Sequence, residues 1–214
     1  MHLNPERTAA MTDTTTIFDV IRHGEPEGGP MYRGRKDDPL SPVGWQQMRN
    51  AITSADHWDA IVSSPMLRCV HFARELAERY QISLHLDDDL REINFGDWEG
   101  RTADEVMAND GERLSQFWAN PVANTPPSGE PVSDFQTRVV ARWNHWQEQL
   151  AGKRVLIVCH GGIVRMIAAD VMHIPLEHAF SGLSTPYACR SRIQVNTSSY
   201  GRFQSLIGHG LISD

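Results

Sequence analysis

The 214-residue chain contains no apolar run near the roughly 18 residues that a membrane span needs. Residues 1–15 are polar and lack the hydrophobic core of a signal peptide. Cysteine is scarce: Cys69, Cys159 and Cys189 are the three present, an odd number without CxxC spacing. That excludes a disulfide scaffold and a thiolate zinc motif, and it fits free thiols in a reducing cytoplasm. Metal-type histidine spacing such as HExxH is also missing. His57, His71, His145, His173 and His178 therefore read as ordinary helix or loop residues. Positive charge is not in surplus. The formal net charge is −7, which disfavours wholesale binding to nucleic acid or a membrane surface. A phosphate can still bind an acidic protein where its cations are concentrated. There is no long repeat and no low-complexity segment. The Pro- and Gly-rich stretch 120–131 is too short for a domain linker.

What is present suffices for a core: 40% of residues are apolar and six are Trp. The length fits one medium domain over 16–214, with 1–15 a flexible N-terminal extension. Met11 offers an alternative start that would leave 1–10 outside the native protein. The oligomeric state is open, a homodimer included.

Strand and helix signals alternate along the chain. Strands are predicted at 16–21, 59–64, 82–86 and 154–159, with a late hairpin around Ser198-Ser199-Tyr200-Gly201. Ser41-Pro42 and Ser64-Pro65 each combine a cap with a first-turn proline and predict helices after them. Thr102 with Glu105 and Ser133 with Gln136 have capping-box spacing. The second box predicts a long amphipathic helix ending near Gly152, in which Trp143 and Trp146 are packing residues. A further helix follows at 163–172. The pattern predicts an α/β sheet with helices on both faces.

Ligands of such sheets sit outside the carboxyl ends of the strands. Two strand ends deliver a histidine followed by glycine: Arg22-His23-Gly24 and Cys159-His160-Gly161. Arg68 lies one turn into the helix after the second strand, where a helix N-terminus favours anions. Two guanidiniums, two imidazoles and a helix end would make a compact anion pocket, because arginine's fork matches phosphate oxygens. "LREINFGDWEG" (90–100) puts Glu92 in a loop flanked by aromatics. A carboxyl beside phosphate and the Phe95 and Trp98 rings should have a raised pKa, which suits a general acid. Arg33, Gly34, Arg35 and Lys36 follow the first histidine loop, where they could hold a second polar part of a substrate.

"RHGE", "SSPMLRC", "LREINFGDWEG" and "CHGG", in this order, resemble the histidine phosphatase, or phosphoglycerate-mutase-like, superfamily from residue 16 onward. The resemblance implies a three-layer α/β/α sandwich with a mostly parallel sheet and no metal or other cofactor. It implies His23 as the nucleophile that becomes phosphohistidine, Glu92 as proton donor, and Arg22, Arg68 and His160 as phosphate ligands, with Gly24 and Gly161 beside them. The activity implied is phosphomonoester hydrolysis on a small phosphorylated metabolite. The segment 25–45, with "YRG" and "DDPLS", is most similar to the α-ribazole phosphatase branch. Sugar and phosphoserine phosphatases and phosphoglycerate mutases of the superfamily are alternatives.

Other readings compete. Cys159 to Arg165 has the C-x₅-R spacing of cysteine-dependent phosphatases. That chemistry would leave Arg22, His23 and Glu92 idle, and a cysteine ending an apolar strand is more often a buried inert thiol. Arg68 could snorkel from an amphipathic helix. Glu99 rivals Glu92 as proton donor. A non-catalytic phosphate-binding module would not need the nucleophile and acid positions.

Overall fold

The structure, a computed structural model, describes residues 13–210. Residues 1–12 and 211–214, and with them most of the predicted N-terminal extension, lie outside the described residues. Six strands form one sheet: β1 (Thr14–Arg22), β2 (Ala60–Ser63), β3 (Ser83–Leu86), β4 (Arg154–Cys159), β5 (Arg190–Ser198) and β6 (Gly201–His209). Their order is β3-β2-β4-β1-β5-β6. The first four are mutually parallel, and β5 and β6 add an antiparallel hairpin at one edge. Five α-helices accompany them among the described residues: α1 (Pro42–Asn50), α2 (Leu67–Tyr80), α3 (Ala103–Ala119), α4 (Val132–Gln149) and α5 (Gly161–Met172).

The period-2 alternation of β1 and β4 creates the layers. Phe18, Val20, Val155, Ile157 and Cys159 point to one side and join a cluster with Val139 and Trp143 of α4 and Ile163 and Ile167 of α5. Ile21, Leu156 and Val158 point to the other side, onto Met48 of α1 and Phe72 and Leu76 of α2. Each fully buried side chain of this kind stabilises the fold by roughly 1.5–3 kcal/mol before entropy is counted. The result is the expected α/β/α sandwich. Trp143 and Trp146 are buried packing residues, their indole N–H groups donating to Gln204 Oε1 and Asp87 Oδ2 at 2.7 Å each.

Several local expectations need correction. β1 begins at Thr14, inside the segment read as an extension, because Thr14 and Thr15 pair with Thr197 and Asn196 of β5. Ser41 caps α1 through Gly44 N at 3.0 Å, and the Thr102–Glu105 capping box forms at α3. Ser64 does not cap α2, which starts at Leu67 after Met66. Ser133 lies inside α4, which starts at Val132 after Pro131. No helix among the described residues is long and apolar enough to cross a membrane.

Strand order decides where chemistry can occur. β4 lies beside β1 with Arg22 opposite Cys159. The His23 N–H continues the ladder to Cys159 O at 2.9 Å, and the Ser64 N–H reaches Val158 O at 3.0 Å. Three neighbouring strand ends thus deliver His23, His160 and Ser64 to one place.

Candidate active site

His23 and His160 meet edge to face with ring centroids 5.2 Å apart. His23 Nδ1 is 2.7 Å from Gly24 O. A carbonyl only accepts, so Nδ1 carries the hydrogen and Nε2 keeps its lone pair. Burial, then Arg68 and Arg22, holds the imidazole well below its usual pKa, so it is neutral at physiological pH. Its glycine neighbour has a packing reason to be glycine: a Cβ on Gly24 would lie 2.2 Å from Gly44 O at the start of α1.

His160 is fully buried. Arg68 Nε donates to its Nδ1 at 3.3 Å, and its Nε2 lies 2.8 Å from Ser64 Oγ. The tautomer is therefore Nε2–H, donating to the serine. Burial, then Arg68, keeps this ring neutral as well. Ser64 carries a helix-cap signal in the sequence, but its hydroxyl pairs with a residue 96 positions away, a contact that no local signal indicates.

Arg68 does not snorkel. It is 1% exposed and spans from His160 to the loop after His23, donating to Lys36 O at 2.8 Å and Gly34 O at 2.7 Å. Those three contacts use part of its five-donor fork, leaving donors for an anion. Gly34 adopts φ +48°, and a Cβ there would meet Glu99 Oε1 at 2.1 Å. Arg33 is buried and turned into its own loop, donating to Asp38 Oδ2 at 2.8 Å, Glu27 O at 2.5 Å and Gly29 O at 3.0 Å. It acts on the site as a nearby positive charge, one of those that lower the pKa of Arg22, His23 and Arg68. Arg35 and Lys36 are solvent-facing and pair with Glu130 and Asp38.

Arg22 reaches across the site. Its Nη1 donates to Thr185 O at 2.6 Å, and its guanidinium lies 4.3 Å from the Tyr187 ring centroid. Tyr187 also approaches His23, with ring centroids 5.9 Å apart. The segment 183–189 is a part of the site that sequence reasoning missed, because it carries no motif.

Glu92 sits at the N-terminus of α5. Its Oε2 accepts from Gly162 N at 3.1 Å, and its Oε1 from Ile93 N at 3.1 Å. Arg138 fixes this loop by donating to the carbonyls of Asp89, Arg91 and Glu92 at 2.5, 2.9 and 3.2 Å. The expected aromatic flank is directed elsewhere. Phe95 and Trp98 pack on Tyr32 and Phe117, with centroids 5.3–6.3 Å apart. The rival Glu99 ties two loops, accepting from Arg35 N at 2.8 Å and Phe95 N at 3.0 Å.

The cysteine alternative fails on geometry. Cys159 is fully buried at the end of β4, and burial pushes its thiol well above the ordinary range. Arg165 of α5 donates to Leu183 O at 3.0 Å. Cys69, beside His160, is pushed up to about 12 by burial. Neither thiol can supply thiolate at neutral pH.

The assembled site thus has a neutral imidazole with a free nitrogen, the buried Arg68 and half-buried Arg22 guanidiniums, a second imidazole, a helix N-terminus and a carboxylate. Such a set can bind a phosphate and exchange its ester oxygen for nitrogen.

The family model described as histidine phosphatase superfamily (branch 1) matches residues 18–203. The chain is 30% identical over 185 residues to the adenosylcobalamin/alpha-ribazole phosphatase of Escherichia coli K12, covering 83% of this chain and 89% of that protein. It is 33% identical over 159 residues to the bifunctional protein Rv2228c of Mycobacterium tuberculosis, a match to 72% of this chain and 43% of that protein. The chain thus spans less than half the length of the first curated relatives it matches. Among solved structures, Bacillus stearothermophilus YhfR superposes with a TM-score of 0.83 at 30% identity, covering 92% of this chain and 98% of that one.

Proposed function

The chain belongs to the histidine phosphatase superfamily, branch 1, and from that premise we propose that it hydrolyses phosphomonoesters of a small metabolite through a phosphohistidine on His23. One observation carries the reading: the Nδ1 of His23 is committed to Gly24 O, which leaves Nε2 unprotonated within the influence of the Arg68 and Arg22 charges.

In the first step Nε2 attacks phosphorus, the P–N bond forms and the P–O bond to the leaving group breaks. Glu92 gives a proton to the departing oxygen. Arg22 and Arg68 bind the non-bridging oxygens, with His160 beside them, where charge redistributes in the transition state. In the second step the Glu92 carboxylate takes a proton from water, whose oxygen attacks phosphorus. The P–N bond breaks, phosphate leaves and His23 returns neutral. Phosphomonoester hydrolysis is among the slowest uncatalysed reactions, with accelerations up to about 10²¹. A dense, prearranged electrostatic clamp answers that need.

The substrate we propose is α-ribazole 5'-phosphate. The likeness of segment 25–45 to that branch and the 30% identity to the Escherichia coli enzyme of that name support it. The setting is cytoplasmic, since the buried, unpaired cysteines suit a reducing compartment.

Phosphate release over a panel containing α-ribazole 5'-phosphate, phosphoserine, sugar phosphates and 3-phosphoglycerate tests both levels. Highest kcat/KM on α-ribazole 5'-phosphate is expected. A higher value on another ester overturns the substrate, and isomerisation of phosphoglycerate without free phosphate overturns the hydrolase.

A further inference from the structure

The strap between α5 and β5 runs past the Arg22 side chain, and side chains hold three of its successive carbonyls. Leu183 O accepts from Arg165 Nε at 3.0 Å, Ser184 O from His209 Nε2 at 2.7 Å, and Thr185 O from Arg22 Nη1 at 2.6 Å. Pro186 follows and restricts Thr185 to extended backbone. Such anchoring is far more than an irregular connection needs.

The Thr185 residue is 2% exposed, and its hydroxyl has no hydrogen-bond partner among the described residues. Arg22 Nε is also buried and unpartnered. Unpaired buried polar atoms are rare enough that each requires a reason. Here the two converge. A Cβ on Gly161 would lie 3.2 Å from Thr185 Oγ1, 3.3 Å from Arg22 Nε and 3.3 Å from Arg165 Nη1. Gly161 is the first residue of the 12-residue helix α5, whose N-terminus favours anions. The three donors close tightly on Gly161, where an added Cβ would crowd all of them.

We infer that Thr185 is a further phosphoryl-binding residue, its hydroxyl donating to the same non-bridging oxygen that Arg22 Nε binds. The inference rests on the phosphatase reading and extends its oxyanion clamp to a segment without a motif. Arg165 serves as a positioning residue, holding the strap through Leu183 O and adding positive charge beside Gly161. Three side-chain hydrogen bonds hold the strap in place before substrate arrives, which is the prearrangement such a clamp requires.

Thr185→Val replaces the hydroxyl by a methyl of similar shape, and Thr185→Ser retains the hydroxyl. Calorimetric titration with inorganic phosphate, melting temperature without ligand, and turnover of p-nitrophenyl phosphate are measured for all three proteins. Thr185→Val should bind phosphate at least about tenfold more weakly, as expected for a lost hydrogen bond to a charged group, and kcat/KM should fall in parallel. Its melting temperature should be unchanged or higher, since it removes a buried hydroxyl that has no partner. Thr185→Ser should stay within a few fold of wild type. Wild-type phosphate affinity in Thr185→Val, a drop in its melting temperature, or equal impairment in Thr185→Ser each overturns the inference alone. If the wild type neither binds phosphate nor hydrolyses p-nitrophenyl phosphate, the phosphatase reading falls and takes Thr185 with it.

Discussion

Glu92 and Gly162 fit against each other with no room for an added carbon. Glu92 Oε2 accepts from Gly162 N at 3.1 Å, and a Cβ at 162 would lie 2.3 Å from Glu92 Oε1 and 3.1 Å from the Phe135 ring. The second glycine of "HGG" is therefore demanded by the carboxylate above it. Gly162→Ala should improve helix propensity by up to about 1 kcal/mol yet displace Glu92. A loss of about 10- to 100-fold in kcat/KM is expected from a misplacement near 1 Å, with far-ultraviolet circular dichroism unchanged. Wild-type kcat/KM in this variant would show that Glu92 does not need its place.

Glu92 itself is tested by the leaving group. Glu92→Gln should cost about 10²–10⁴ with alkyl phosphates, the usual range for general acid catalysis. With p-nitrophenyl phosphate the loss in a single-turnover burst should be much smaller, because p-nitrophenolate leaves without a proton. Equal losses on both substrates would move the role to another group. Glu99, whose Oε1 ties the backbone of Arg35 to that of Phe95, is the next carboxyl to test.

The nucleophile can be assigned by exchange. His23→Ala should abolish turnover and the acid-labile phosphoenzyme, while Cys159→Ser should keep most activity, given a thiol buried at the end of β4. A dead Cys159→Ser with normal circular dichroism and an active His23→Ala would reverse the assignment.

Acid should weaken the fold through the two buried imidazoles. Both have folded pKa values well below 6.5, chiefly from burial, with Arg68 as the next cause. Below pH of about 6.5 the unfolded chain takes up protons that the folded state refuses, so stability falls as pH drops toward the folded values. Each histidine contributes up to about 1.4 kcal/mol per pH unit across that window. Denaturant midpoints at pH 8, 6.5 and 5 check this, and His23→Asn should flatten the profile. A midpoint independent of pH between 6.5 and 5 would contradict it.

Chelation should leave the rate unchanged, since His23, Arg22, Arg68 and Glu92 account for attack, charge and protonation. Loss of activity in excess EDTA, restored by Mg²⁺ or Zn²⁺, would refute that chemistry.

The strand ends, His23, His160 and the α/β alternation were legible because local rules set them. A short β-branched apolar run followed by glycine reads as a buried strand, and a histidine after it stands at the carboxyl end. Ser41 and Thr102 cap their helices through contacts three residues away, which spacing reveals. Ser64 and Ser133 carry the same local signal and do not cap, since the chain before α2 is claimed by His160 and α4 begins after Pro131. Local propensity proposes such caps, and distant partners can outbid them.

Tertiary structure alone decided which way the polar side chains face. Arg33 reads like an exposed substrate ligand, but Asp38 and two carbonyls hold it inside its own loop. Thr185 has no motif, and only the crossing of β5 beside β1 brings its strap to Arg22, 163 residues away. Periodicity along the chain determines which elements form and which residues their ends present. Strand order and burial determine which groups share one low-dielectric space, and hydrogen bonds across more than 60 residues of sequence leave no periodic trace.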